Sequence, residues 1–293
     1  MPVMEVLAGR VLHRPREVPS TSGRPSALGV DPLARGLTPV ADAPRLTSGA
    51  GELLREIEIT DEYGDHRSIQ IPVERGLKVV VDGGAIGKLW TLGAQPEWLV
   101  LGYLRNRQLI DDVTQIESVS IEWDEGTAAV LTRATCSIDS RMTAAGLQAE
   151  PCAMPVRGFL TRTTLLAILE AMRGNDAIYR AAGSVHACAL FCGPDLLLSV
   201  EDVSRRNSFD IITGWMALHG VPGHNKILFA TGRLTAEVVL KAAINGIPIV
   251  VTHKGITSAC FDLAARLGMT LIGRAAQRRY ICYVGAERFN ADA

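Results

Sequence analysis

The sequence predicts an α/β fold, in which a layered sheet with flanking helices follows a smaller N-terminal β-rich subdomain and an extended N-terminal tail. Strand-like and helix-like segments alternate from residue 163 to the end of the 293-residue chain, which is typical of helix-covered sheets. Upstream of that half, apolar and polar residues alternate one by one, as in paired strands. The first fifty residues hold seven of the 14 prolines and no aromatic residue, so they cannot bury enough surface to fold alone.

These patterns divide the chain into four parts. We expect an extended, proline-rich tail over residues 1–54, a β-rich subdomain over 55–135, a loop over 136–162 and an α/β domain over 163–293. Two interpretations of the tail stay open: it packs along its own globular body, or it wraps around a partner protein.

Composition excludes several classes of protein. The 30 basic residues balance the 31 acidic ones, so no bulk charge draws the chain to nucleic acid or anionic lipid. No apolar run approaches the ~18–20 residues of a membrane span, and the start, MPVMEVLAGR, lacks the pattern of a secretion signal. The irregular spacing of the six cysteines favours reduced thiols over a disulfide framework. We therefore expect a cytoplasmic protein that binds neither nucleic acid nor a membrane.

In the β-rich subdomain, glycine-containing turns separate the predicted strands. REIEIT and RSIQIPV alternate like edge strands, while GLKVVVDGGAIGKLW and SVSIEWDEGTAAVLTR each have the pattern of two strands around a turn. The segment PEWLVLGYLRN is predicted as a helix, because proline favours the first helical position. The stretch ATCSIDSRMTAAGLQAEPCAMP has no clear periodicity and is predicted as a long loop.

The second half is predicted as an alternation of six strands and four helices. The strands are GSVHACAL, DLLLSV, KILFAT, IPIVVTH, MTLIG and RRYICYV, and the helices are TTLLAILEAMR, SFDIITGWMALHG, LTAEVVLKAAIN and SACFDLAARLG. Strand–helix–strand units at this spacing predict a largely parallel sheet with right-handed connections.

Three arginine-containing loops are expected at one edge of this sheet. They are VEDVSRRN, ATGRLT and GRAAQRR, and each follows a predicted strand. Ligands bind outside the carboxyl ends of such strands, where unpaired helix N–H groups donate to phosphate. Gly232 allows close backbone approach, and Arg233 can bind a phosphate through two hydrogen bonds. A single arginine of this kind is more often a solvated surface residue. The cluster indicates an anionic, nucleotide-like ligand; its other members are Arg205, Arg206, Arg274, Arg278 and Arg279.

A candidate zinc site lies in GSVHACALFC, where His186, Cys188 and Cys192 are metal-binding residue types. A deaminase zinc site needs H-x-E followed by P-C-x-x-C. Here Ala187 and Cys188 follow the histidine, and Pro155 stands where the second cysteine would be. We therefore expect no metal site. The two cysteines are predicted as buried apolar residues, and His186 either lies in the core or contacts a ligand.

Several segments, in the same order along the chain, resemble the signature motifs of the formate dehydrogenase accessory sulfurtransferases, the FdhD family. They are GSVHACAL, EDVSRRNSFD, TGRLTAEVVLKAAINGIPIVV and DLAARLGMTLIG, with a weaker match at PEWLVLGYL. The resemblance covers residues 55–290 and implies a cytidine-deaminase-like fold. It also implies a function. Members take persulfide sulfur from a cysteine desulfurase and pass it to bis-molybdopterin guanine dinucleotide, the cofactor of formate dehydrogenase.

The resemblance implies a cofactor site on the same loops and on the strand before them. Its residues would be Gly183, His186, Asp202, Arg205, Asn207, Thr231, Gly232, Arg233, Arg274, Gln277, Arg278 and Arg279. The ligand would be bis-molybdopterin guanine dinucleotide or a guanine nucleotide. The implied partners are the catalytic subunit of a molybdenum or tungsten formate dehydrogenase, a cysteine desulfurase and a second copy of the chain.

The chain departs from the family pattern in the loop that carries the reactive thiol. Members typically have a Cys-x-x-Cys there, whereas this chain has Cys136 alone and Asp139 in place of the second cysteine. SRRN over residues 204–207 replaces the usual Gly-Arg-His-Asn, and the last loop lacks a Pro-Gly. Two hypotheses follow. In the first, the chain is an accessory protein or subunit that binds the cofactor or the dehydrogenase without transferring sulfur. In the second, it is a sulfurtransferase whose Cys136 thiolate accepts the sulfur.

Overall fold

In the computed structural model, which describes residues 37–47, 49–133 and 160–291, most strands belong to two sheets. The N-terminal part contains β1 (Arg45–Leu46), β2 (Leu54–Thr60), β3 (His66–Pro72), β4 (Arg75–Val81), β5 (Gly84–Thr91), helix α1 (Pro96–Asn106), β6 (Ile116–Glu122) and β7 (Thr127–Thr132). The C-terminal part contains β8 (Leu160–Thr161), α2 (Arg162–Met172), α3 (Ala177–Ala182), β9 (His186–Cys192), β10 (Asp195–Asp202), α4 (Arg205–Leu218), β11 (Lys226–Ala230), α5 (Ala236–Ile244), β12 (Ile249–Thr252), α6 (Ser258–Arg266), β13 (Thr270–Ala276), β14 (Arg279–Val284) and β15 (Phe289–Asn290).

The N-terminal sheet has five strands in the order β1-β6-β7-β4-β5. Its predicted hairpins are confirmed, since Asp82 and Gly83 take the left-handed conformation that a tight turn between β4 and β5 requires. Leu77, Val79 and Val81 alternate inward along β4 and belong to the same buried cluster as the apolar face of α1. Within the described strands, β2 and β3 pair with each other alone and form a separate, largely exposed hairpin.

The C-terminal sheet has six strands in the order β10-β9-β11-β12-β13-β14. β10 and β11 are both antiparallel to β9, and β11, β12 and β13 are parallel neighbours, so these four strands share one direction. β14 runs antiparallel to β13. The expectation of a largely parallel sheet is therefore wrong, because two of the five pairings are parallel. The short turns between β9 and β10 and between β13 and β14 can join only antiparallel neighbours.

Helices cover both faces of this sheet, which confirms the predicted α/β class. Apolar residues of α4, α5 and α6 pack on one face, around Cys188, Leu190 and Leu228. Helix α2 packs on the other face, against Phe191 and Phe229. The four predicted helices are all present, whereas α3 is not predicted. No helix in the described part of the chain is long and apolar enough to span a membrane.

The two sheets meet where α1 crosses α4. Two glycines allow the close approach: a Cβ on Gly102 would lie 1.8 Å from the carbonyl oxygen of Asp210, and a Cβ on Gly214 would collide with the backbone of α1. Beside this crossing, the side-chain amide of Asn106 donates to the Asp210 carboxylate at 2.6 Å. The same carboxylate pairs with the buried Lys241 ammonium at 2.9 Å. The crossing therefore joins α1, α4 and α5 through both backbone contact and a buried polar network.

Part of the predicted tail packs on the N-terminal sheet. β1 pairs with β6, the Val40 N–H donates to the Leu218 carbonyl at 2.8 Å, and the Gly49 N–H donates to the Glu97 carboxylate at 2.8 Å. For these residues, the observation supports packing along the chain's own body. Residues 1–36 and 48 of the predicted tail, residues 134–135 of the predicted β-rich subdomain and residues 136–159 of the predicted loop lie outside the described residues. The four domain boundaries remain predictions.

Candidate functional site

The carboxyl ends of β10, β11, β12 and β13 meet at one edge of the C-terminal sheet, where β9 begins. The segments that follow these strands, together with helix α3, enclose a cavity of about 1070 Å³. We call it the sheet-edge cavity. Its volume corresponds to the upper end of small-molecule and cofactor sites, roughly 300–1,000 Å³.

Five cationic side chains line the sheet-edge cavity, against a single carboxylate from Asp176. The cations are Arg173, Arg205, Arg206, Arg233 and Lys254. The carboxylate is paired with Arg180 at 2.8 Å, so part of its charge is compensated from outside the cavity. Two of the cations are compensated in the same way, since Arg173 pairs with Glu170 at 2.7 Å. Arg206 pairs with Glu237 at 3.0 Å. Since the whole chain has a net charge of −1, positive charge is concentrated at this edge. The electrostatics of the cavity favour an anionic ligand.

The loop after β11 is held tightly against the start of β9. The Thr231 N–H donates to the Ala187 carbonyl at 3.0 Å, and the Thr231 hydroxyl accepts from the Ala187 N–H at 3.1 Å. Gly232 leaves room for Arg205, because a Cβ at this position would lie 2.6 Å from the Cδ atom of that arginine. The exposed Arg233 follows directly. The Arg205 side chain therefore packs over Gly232, and Arg205 and Arg233 lie in the same wall of the cavity.

His186 begins β9 and lines the cavity, so it is available to a ligand. Burial, and then the neighbouring Arg205 charge, lower the pKa of His186, so its imidazole is neutral at neutral pH. Cys188 is fully buried behind it. Cys192 lies at the opposite end of the strand, roughly 20 Å away at the rise of an extended chain.

The separation of these side chains bears on the candidate zinc site. His186 and Cys192 are too far apart to share one ion with Cys188. Among the described residues, no group of three His, Cys, Asp or Glu side chains is arranged to hold a metal. The wider expectation that the chain binds no metal remains a prediction.

Asp202 and Asn207, two of the predicted ligand residues, lie behind the cavity wall rather than in it. The buried Asp202 carboxylate accepts hydrogen bonds from the Thr91 hydroxyl at 2.5 Å, the Leu92 N–H at 3.0 Å, the Ser204 N–H at 2.9 Å and the Asn207 amide at 2.9 Å. Burial raises the pKa of Asp202 to about 6, against the lowering effect of these bonds. Both residues therefore support the start of α4 instead of presenting a polar atom to a ligand in this cavity.

The last residue of β13, Ala276, belongs to the cavity lining. The predicted ligand residues at this end of β13, in the turn and at the start of β14 are exposed and do not line the cavity; they are Arg274, Gln277, Arg278 and Arg279. Gly183 ends helix α3 with a φ of 64° and also lies outside the lining. The structure thus brings together His186, Arg205, Thr231, Gly232 and Arg233 from the predicted set.

The sequence patterns do not single out three further lining residues, namely Tyr179, His253 and Lys254. The last two follow β12, so the rule that ligands bind at the carboxyl ends of strands could have indicated them. Tyr179 belongs to α3, whose six residues are too few for a clear helical period. The spacing of Asp176 and Arg180, four residues apart and ion-paired, is the one local signal for that helix.

Three of the four described cysteines are poorly suited to accept sulfur, and none of the four lines the sheet-edge cavity. Burial raises the pKa of Cys188 far above its usual range and that of Cys260 to about 11, and it also raises the pKa of Cys282. Sulfur acceptance requires the thiolate, which these three thiols disfavour. Cys136 lies outside the described residues, so its role in sulfur transfer remains a prediction.

Comparisons with known proteins agree on one family. The sequence profile of the FdhD/NarQ family matches residues 72–290. A protein of Halalkalibacterium halodurans, named sulfur carrier protein FdhD, is 27% identical over 250 residues, which is 79% of this chain and 93% of the relative. A Sulfurisphaera tokodaii protein of the same name is 30% identical over 204 residues, or 65% and 78% of the two chains.

The fold is also similar to a crystal structure from Desulfotalea psychrophila, described as that of a candidate formate dehydrogenase accessory protein. The two structures have a TM-score of 0.67 and 23% sequence identity, over 81% of this chain and 98% of the other.

Proposed function

Because this chain belongs to the FdhD/NarQ family, we propose that it is a cytoplasmic accessory protein of a formate dehydrogenase and that its sheet-edge cavity binds the guanine nucleotide part of the dehydrogenase's pterin cofactor. The observation that carries the proposal is the excess of five cations over one carboxylate around a cavity of about 1070 Å³, in a chain with a net charge of −1. The names of the relative and of the similar structure support the choice of partner.

The residues of the cavity fit a phosphate-bearing group. Arg205 and Arg233 would bind phosphate oxygens through charge-assisted hydrogen bonds, and the absence of a side chain at Gly232 leaves room for the Arg205 side chain beside Arg233. Asp202 and Asn207 hold the start of α4 from behind, which positions Arg205. A bound cofactor would supply the metal centre that receives sulfur if the chain transfers it.

We favour the hypothesis that the chain holds the cofactor or the dehydrogenase without passing sulfur on. The missing second cysteine at Asp139 and the raised pKa values of Cys188, Cys260 and Cys282 support it. The second hypothesis, sulfur transfer from a cysteine desulfurase through Cys136, is supported by the name sulfur carrier protein of the relatives.

Calorimetry with guanosine diphosphate tests the binding site. Arg233→Ala should weaken binding by roughly 10- to 150-fold, since a hydrogen bond to a charged group contributes about 1.5–3 kcal/mol. The matched control is Arg266→Ala, because Arg266 ends α6 outside the cavity and is exposed. Equal affinities in the wild type, Arg233→Ala and Arg266→Ala would refute the site.

Mass spectrometry after incubation with a cysteine desulfurase and cysteine tests the sulfur-transfer hypothesis. A persulfide on the wild-type chain that disappears in Cys136→Ala would establish the second hypothesis. The absence of any persulfide on the wild-type chain, with a known acceptor protein modified in the same reaction, would establish the first. Cys192→Ala serves as the control, because this half-buried thiol lies at the far end of β9.

A further inference from the structure

Helix α3 places an exposed tyrosine at the sheet-edge cavity. The Tyr179 side chain is 56% exposed and forms part of the cavity lining. Within the described part of the chain, no hydrogen bond to its hydroxyl is formed, so its position does not depend on that group. A large aromatic surface in contact with water at the rim of a cavity is free to stack against a planar ligand.

A buried carboxylate holds this helix in a defined place. Glu201 of β10 is buried, and it accepts hydrogen bonds from the Ile178 N–H at 2.8 Å and the Tyr179 N–H at 2.9 Å. Ile178 is itself fully buried in a cluster with Leu92 and Val185. A buried carboxylate is costly without such partners, so the pairing fixes the first turn of α3. The backbone that carries the tyrosine ring is therefore anchored to the sheet.

The order of the strands separates the tyrosine from two of the five cations. Glu201 ties α3 to β10, whereas Arg233 and Lys254 follow β11 and β12. β11 and β12 lie two and three positions from β10 in the sheet, a distance of roughly 10–14 Å at the usual strand spacing. The side near α3 also contains Met172 and Val203, together with the cations that follow α2 and begin α4, namely Arg173, Arg205 and Arg206. The tyrosine therefore lies at one end of the cavity, and Arg233 and Lys254 lie toward the other.

We propose that Tyr179 is the stacking surface for the purine ring of the bound nucleotide, and that Glu201 is a positioning residue that holds Tyr179 in place. The nucleotide then lies along the sheet edge with its ring beside α3 and its phosphates beside the loop after β11. This inference rests on the proposed function, because it assigns an orientation to the ligand of the same cavity.

Calorimetry with two ligands, guanosine diphosphate and inorganic pyrophosphate, tests the orientation. Alanine substitution of an aromatic that stacks on a base costs about 1–3 kcal/mol, so Tyr179→Ala should weaken guanosine diphosphate binding by roughly 5- to 150-fold. It should leave pyrophosphate binding unchanged, since pyrophosphate has no ring. Tyr179→Phe should keep the wild-type affinity for both ligands. Tyr63→Ala is the matched control, because this tyrosine is exposed in the turn between β2 and β3.

A double-variant cycle tests the positioning role of Glu201. Glu201→Gln replaces one acceptor oxygen by an amide group that cannot accept from the α3 backbone, so it should weaken guanosine diphosphate binding selectively. This loss should not add to that of Tyr179→Ala, because both changes remove the same contact. Additive losses, or an equal loss for pyrophosphate, would overturn the role of Glu201.

The outcomes distinguish this inference from the proposed function. If Arg233→Ala weakens guanosine diphosphate binding while Tyr179→Ala does not, the orientation is wrong and the nucleotide site stands. If the wild-type chain binds neither guanosine diphosphate nor pyrophosphate, both the orientation and the nucleotide site are wrong.

Discussion

Asp202 ties the end of the N-terminal sheet to the start of helix α4. Two of its hydrogen bonds come from Thr91 and Leu92, which end and follow β5, and two come from Ser204 and Asn207. Asp202 is fully buried, and three of the residues that donate to it, Thr91, Leu92 and Asn207, are buried as well. We infer that this carboxylate fixes the position of the loop that carries Arg205.

Replacement of Asp202 by alanine should destabilise the fold strongly. The change leaves buried donors, the Leu92 N–H group and the Thr91 hydroxyl, without their acceptor, which should lower the free energy of unfolding by about 2–4 kcal/mol. Denaturation by urea measures this change. Asp195→Ala is the control, because Asp195 is exposed at the start of the same strand; an equally small effect of both substitutions would contradict the structural role of Asp202.

The pKa of Asp202 predicts a pH dependence of stability. Because burial raises the pKa of the folded state to about 6, the unfolded chain releases this proton first as the pH rises. The stabilisation that comes from keeping the Asp202 carboxyl protonated is therefore complete below about pH 4 and is lost by about pH 6. Urea midpoints of the wild type should fall across this interval, and those of Asp202→Asn should fall less. Parallel curves for the two proteins would show that the pKa is not raised.

For single residues, the sequence predicts which loop a residue belongs to better than it predicts whether the side chain is buried. The loop rule correctly brings Arg205, Gly232 and Arg233 together, because each directly follows a strand that ends at the same edge. It also selects Asp202, whose neighbours in sequence line the cavity while its own side chain points to β5. The partner strand that buries Asp202 lies more than a hundred residues away, so no local pattern reveals it.

Helices α1 and α4 cross with their backbones in contact, and two glycines make this crossing possible. Gly102→Ala should lower the free energy of unfolding by roughly 3 kcal/mol, since the new Cβ would overlap the Asp210 carbonyl oxygen and force the helices apart. Gly174→Ala is the matched control, because its Cβ would meet no atom closer than 4.0 Å. Equal unfolding free energies for the two variants would contradict the close crossing.

A helix or hairpin can be predicted from the sequence when the residues that stabilise it lie within or next to it in the chain. The turn at Asp82 and Gly83 is local, and the β4–β5 hairpin is therefore predicted correctly. Helix α3 depends instead on the distant Glu201 carboxylate, which accepts from its first turn. For that reason the segment AIYRAA carries little helical signal of its own, and the sequence did not indicate Tyr179.

In the molecule as a whole, residues 37–53 connect the N-terminal end of the chain to the N-terminal sheet. Deletion of residues 1–36 keeps β1 and the Gly49–Glu97 hydrogen bond, so this variant serves as the reference. Deletion of residues 1–53 should lower the thermal unfolding midpoint below that of the reference, since it removes Val40 and Leu46 from the apolar cluster below β6. It also leaves the buried Glu97 carboxylate without the Gly49 N–H that donates to it. Equal midpoints for the two deletions would contradict the packing of this segment.

The shorter deletion also separates the two hypotheses in cells. If the chain acts by binding the dehydrogenase and the tail wraps around that partner, loss of residues 1–36 should reduce formate dehydrogenase activity more than Cys136→Ala does. If the chain transfers sulfur, Cys136→Ala should abolish the activity and the deletion should leave it intact.

The proposed role of the sheet-edge cavity is to bind a ligand that formate dehydrogenase needs. Formate dehydrogenase activity in cells that lack this protein, measured after complementation with the Arg205→Ala/Arg233→Ala double variant, tests it most directly. We expect the wild type and Arg266→Ala to restore the activity and the double variant to fail to restore it, with all three chains present at equal levels. Full activity with the double variant would contradict the claim.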